Sequence, residues 1–112
     1  MIVSLLKDLI YWEQRPMISV MLETEVTKEI RIVFRQWQIM KEHQAPFPII
    51  VEIVDGEIKF GAPDGVHTLE RGDMITLVGW VPHDLEAIQD SVVRLTISKS
   101  DKTQRVQKAI DS

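Results

Sequence analysis

Short apolar stretches of strand length, some alternating with polar residues at a period of two, fill the middle of this chain, and its two ends carry a different rhythm. Residues 28–36 set the pattern: Ile30, Ile32 and Phe34 alternate with Arg31 and Arg35, which predicts a strand with both arginines on a solvated outer face. Met17–Glu23 reads as a strand before it, and Trp37–Lys41 continues as an extended segment. The run His43-Gln44-Ala45-Pro46-Phe47-Pro48 then forms a proline-stiffened bend. Ile49–Val54 is apolar at every position but Glu52, which predicts burial on both faces or in a dimer interface. Asp55-Gly56 is a tight-turn signal, and Glu57–Gly61 returns as a strand. Pro63-Asp64-Gly65 and Arg71-Gly72-Asp73 are further turns that lead into strands at Val66–Leu69 and Met74–Val78. After Pro82 and His83, Leu85–Ile88 and Val92–Ile97 complete the series.

The ends carry a different period. Ile2, Leu5, Leu6, Leu9 and Ile10 fall at helical spacing, which predicts a helix over 2–13 ended by Pro16. Asp101 reads as an N-cap with Gln104 as its capping-box partner, which predicts a second helix over 102–111 with Val106, Ala109 and Ile110 on its apolar stripe. Many short strands punctuated by Gly, Pro and Asp turns indicate an all-β barrel or jelly roll over 17–98, with short N-terminal and C-terminal helices. At 112 residues the chain is expected to form a single domain, 1–112.

Composition narrows the function classes. The formal charge of −4 argues against a nucleic-acid partner, which usually needs a basic face. With no cysteine, disulfides and thiol catalysis are excluded. The first apolar run is interrupted by Lys7 and Asp8, so neither a membrane span nor a secretory leader is expected. The protein is read as cytoplasmic, without a nucleic-acid or membrane partner. No Ser-His-Asp order, phosphate loop or nucleotide fingerprint is present.

Several stretches carry a family likeness: His43, Val54-Asp55-Gly56-Glu57-Ile58, Arg71-Gly72-Asp73, Val81-Pro82-His83-Asp84-Leu85, and Asp90-Ser91-Val92-Val93-Arg94-Leu95-Thr96. With them the stretch from Lys41 to Ser98 resembles the cupin superfamily, specifically the small single-domain, RmlC-like conserved-barrel cupins. The resemblance implies a double-stranded β-helix, usually a homodimer, with a ligand or metal pocket inside the barrel. It also implies a His-x-His, Glu and second-motif His ligand set. Anchored on Gly56, those positions fall on His43, Ala45, Ile49 and His83, so two of the four are able to ligate. A divalent transition metal normally takes three or four protein ligands. The expectation is therefore a degenerate metal site of His43 and His83 and no resident cofactor, a weakly bound divalent metal being the sole candidate.

The candidate pocket comprises His43, His83, Ile49, Val51, Trp80 and Phe47, and no catalytic residue is assigned. Trp37, Trp80 and Phe47 suit an apolar ligand, although such rings more often fill a core or an interface. His67 falls on an outer hairpin and is read as solvated. The functional expectation is a homodimeric barrel that binds a small organic ligand without catalysis. Its alternatives are a metal-dependent cupin enzyme of dioxygenase or isomerase type using His43 and His83, and a sensor that works through a separate DNA-binding partner.

Overall fold

The computed structural model describes residues 1–99, and among them every regular element is a strand. In order these are β1 (Met17–Glu23), β2 (Thr27–Phe34), β3 (Ile39–His43), β4 (Ile49–Asp55), β5 (Glu57–Ala62), β6 (Gly65–Glu70), β7 (Met74–Leu77), β8 (His83–Ala87) and β9 (Ser91–Ser98). They form two antiparallel sheets, one ordered β1-β2-β9-β4-β7 and the other β3-β8-β5-β6. Apart from the β1–β2 and β5–β6 hairpins, each strand is followed by one in the other sheet, and the apolar phase of each faces the layer between them.

The register shows how the phases add up. Ile32 opposes Val93, Ile30 opposes Leu95 and Val51 opposes Leu95, so one apolar row crosses β2, β9 and β4. The smaller sheet answers with Ile58 opposite Ala87 and Phe60 opposite Leu85. Phe34, Ile53, Ile58, Phe60 and Val93 are sealed from solvent at the centre of this core. Asp55-Gly56 makes the corner between β4 and β5. Gly56 sits at φ +100°, and a Cβ there would lie 2.1 Å from Ser91 Oγ, so the turn needs both the left-handed backbone and the missing side chain.

Four expectations change. Residues 2–13 form no helix. Their apolar stripe finds no face to bury, since Ile2, Leu6 and Ile10 stay exposed. The carbonyls of Leu5, Lys7 and Asp8 accept hydrogen bonds from the Arg31 guanidinium instead of from helical N–H groups, and Asp8 takes a left-handed φ of 54°. A short helix without tertiary packing does not repay its nucleation cost.

Arg31 is the second correction. Alternation puts it on the outer face, but the N-terminal segment covers that face and leaves Arg31 only 8% exposed, with its Nε unpartnered. Arg35, by contrast, is half-exposed, pairs with Asp90 at 3.1 Å and lies over the Tyr11 ring. Third, Ile49–Val54 is not buried on both faces: Ile49, Val51 and Ile53 point inward while Ile50 is exposed. Fourth, the extended segment from Trp37 is broken, because Trp37 turns at φ 72° and β3 begins only at Ile39. The helix expected over 102–111 lies outside the described residues.

Candidate ligand cleft and histidine pair

β3 carries an irregularity that decides where His43 points. Met40 opposes Leu85 and His43 opposes His83, so three steps along β3 match two along β8. That extra residue is a β-bulge. Without it, period-2 alternation would put Met40 and His43 on opposite faces. With it, both turn to the interior, alongside Leu85 and His83. The rings of His43 and His83 meet edge to face with centroids 4.2 Å apart, and His83 stacks on Phe60 at 5.7 Å.

The two imidazoles are anchored alike. His43 Nδ1 lies 2.8 Å from the Lys41 carbonyl and His83 Nδ1 lies 3.0 Å from the Val81 carbonyl. A carbonyl only accepts, so each Nδ1 carries the proton and donates it. In the neutral ring each Nε2 then holds a lone pair, and no hydrogen bond engages either one among the described residues. Burial pushes the His83 imidazole below its ordinary value, and the neighbouring His43 ring adds to that shift. The bond to Val81 and the Asp84 carboxylate oppose it. His83, 3% exposed, is thereby held neutral at pH 7.

His43 forms one wall of a cleft of about 500 Å³. Its other walls are Ile18 of β1, Ile30 and Ile32 of β2, Met40 of β3, and Leu95 and Ile97 of β9, with Lys41 and Glu42 at the bulge. The cleft exists because the larger sheet overhangs the smaller. Ile18 opposes Ile32 and Val20 opposes Ile30, so β1 extends the inward apolar face. Yet Ile18 is 55% exposed and Val20 nearly the same, since nothing among the described residues seals that side.

Of the six residues expected in the pocket, His43 lines this cleft and His83 stands behind it. Ile49 and Val51 are core residues, and Phe47 is half-buried within the bend that precedes β4. Trp80 is 65% exposed at a left-handed turn (φ 68°), where its N–H donates to the Ala45 carbonyl at 2.7 Å. His67 is half-buried and pairs with Asp64 at 2.9 Å on the β5–β6 hairpin. Ile18, Met40, Leu95 and Ile97 were not among the residues that the sequence assigned to a pocket. Each looks like any inward strand residue, and only the mismatch in sheet width makes them a surface.

Solved structures give the architecture its name. An RmlC-like cupin from Desulfovibrio desulfuricans superposes with a TM-score of 0.81 at 24% identity, covering 88% of this chain and 95% of that one. The fold is that of a cupin. A conserved Klebsiella pneumoniae protein with a double-stranded β-helix domain gives 0.78 at 18% identity, over 89% of this chain and 90% of that one. KdgF from Halomonas sp. gives 0.70 at 17% identity, over 81% and 86%. The sequence matches no family model, and no curated protein matches it.

The metal that a cupin fold implies can be tested against these side chains. Ala45 is half-buried and Ile49 lies in the core, so neither position supplies a donor atom. No group of three or more ligating side chains converges among the described residues. Among the described residues the two imidazoles fall short of the three or four protein ligands that a resident metal usually takes.

Proposed function

We propose that this protein is a non-catalytic cupin-fold barrel that binds a small apolar organic molecule in the cleft beside His43, and that it works as a homodimer. The observation that carries the reading is the contrast in the cleft wall: six aliphatic or thioether side chains and one imidazole converge on a space of about 500 Å³, with the charged Lys41 and Glu42 beside them. Such a mostly apolar concavity with a few placed polar groups is the usual makeup of a small-molecule site. Dimerisation is supported by β1, an edge strand whose inward face leaves Ile18 and Val20 exposed, a feature that edge strands rarely keep without a partner.

A second reading is favoured by one observation. Both histidines tie Nδ1 to a backbone carbonyl and leave Nε2 free, which is how metal-ligating histidines are oriented. That reading is a metal-dependent enzyme using His43 and His83, and among the described residues it has no third ligand. A weakly held divalent ion remains its only cofactor.

Native mass spectrometry of the freshly purified protein, with elemental analysis on the same sample, tests both readings. The first expects a dimer carrying substoichiometric organic mass and no bound metal. A stoichiometric metal that disappears in a His43→Ala/His83→Ala double variant would replace it with the second.

A further inference from the structure

The polar end of the cleft has a sign. Resting on the small-molecule reading above, the geometry points to a ligand whose head group donates a hydrogen bond, such as an alcohol, with its aliphatic body along Ile18, Ile30, Leu95 and Ile97. Molecules whose head only accepts, ketones and carboxylates among them, are disfavoured.

The argument starts from the Lys41 carbonyl. It holds the Nδ1 proton of His43 at 2.8 Å and so fixes which ring nitrogen is protonated. The edge contact with His83 restrains the ring in that orientation. What remains on the imidazole is Nε2 with its lone pair, an acceptor without a partner among the described residues. A head group that only accepts would meet lone pair against lone pair there and lose its bonds to water without replacement. The rim does not override this preference. Lys41 and Glu42 are adjacent, both exposed and opposite in charge, so they impose no net sign on the entrance.

This differs from two imidazoles holding an ion. It concerns only the His43 acceptor and the aliphatic wall, and it needs no metal.

Three eight-carbon probes of matched length separate the possibilities by isothermal titration at pH 8: octan-1-ol, 2-octanone and octanoate. Octan-1-ol is expected to bind about three- to tenfold more tightly than 2-octanone, the range that one net hydrogen bond supplies. Octanoate should be weaker still. His43→Phe keeps a ring in place and removes the acceptor, so it should bring alcohol and ketone within twofold of each other. Should that variant fold poorly, His43→Gln serves instead, because its amide adds a donor and should improve ketone binding relative to alcohol. Equal binding of alcohol and ketone by the wild type would overturn the donor preference alone and leave an unselective apolar cleft. So would a preference that survives both substitutions. If none of the three probes binds, the small-molecule reading falls and this inference falls with it.

Discussion

Two regions of the sandwich interior are built from the same kinds of residue and differ only in what lies over them. Around Phe34, Ile53, Ile58 and Phe60 both sheets are present, and every one of these side chains is sealed from solvent. Around Ile18, Leu95 and Ile97 the larger sheet runs on past the smaller, and the same aliphatic chemistry becomes the wall of a cleft. The difference teaches that hydrophobic pattern specifies which face a residue takes, while the width of the opposing layer decides whether that face becomes core or site.

The contrast is broken most severely at the closed region. Phe60 is fully buried and stacks on His83, so Phe60→Ala removes a ring from a close-packed centre and from beneath an imidazole. A loss of about 3–5 kcal/mol is expected in urea unfolding, the range for deleting a buried aromatic side chain.

A smaller effect belongs to the boundary between the regions, where His83 sits. Its folded-state value lies below the ordinary histidine value of about 6.5. As pH falls below that value the unfolded chain takes up a proton that the folded protein refuses, so the contribution is intact above it and lost progressively beneath it. Unfolding measured between pH 8 and pH 5 should show this decline in the wild type and a shallower one in His83→Gln. That window lies above the carboxylate range. It is therefore distinct from Glu29, for which burial acts to raise the value but hydrogen bonds from Thr96, Thr27 and Arg94 prevail and hold it low.

The smallest effect is expected at the open region. Ile18→Ala takes away methyl groups that are already half in water. At a protein concentration low enough to hold the monomer, its cost in urea unfolding should be about 0.5 kcal/mol or less, as for other surface positions. The cost should rise with protein concentration, because a partner laid on β1 would cover Ile18; a cost that does not change with concentration would count against a dimer through β1.

Much of this architecture was legible along the chain, for reasons that are local. Asp55-Gly56 and Arg71-Gly72-Asp73 announce turns because Gly56 and Gly72 do adopt positive φ, and the alternation of Ile30, Ile32 and Phe34 is the β2 phase that forms the core. Other features were not legible because their causes lie far away in sequence. Leu5, Leu6 and Leu9 have the spacing of a helix, but the decisive partner of that segment is Arg31, over twenty residues on. Arg31 itself is outward as alternation requires and buried all the same, under that segment.

The histidine pair was half legible. Likeness to the cupin motifs singled out His43 and His83, and the antiparallel pairing of β3 with β8 sets their rings together. The bulge that turns His43 inward left no mark in the sequence. Nor did the cleft, which depends on a mismatch between two sheets and on no single residue.

The central claim is that the open region, not the sealed one, receives a ligand. Methyl-resolved NMR during a titration with octan-1-ol at pH 8 tests it most directly. Shift changes should be confined to Ile18, Ile30, Ile32, Met40, Leu95 and Ile97, with Ile53 and Ile58 unmoved. Shifts centred on Ile53 and Ile58, or no saturable shift anywhere, would contradict the account.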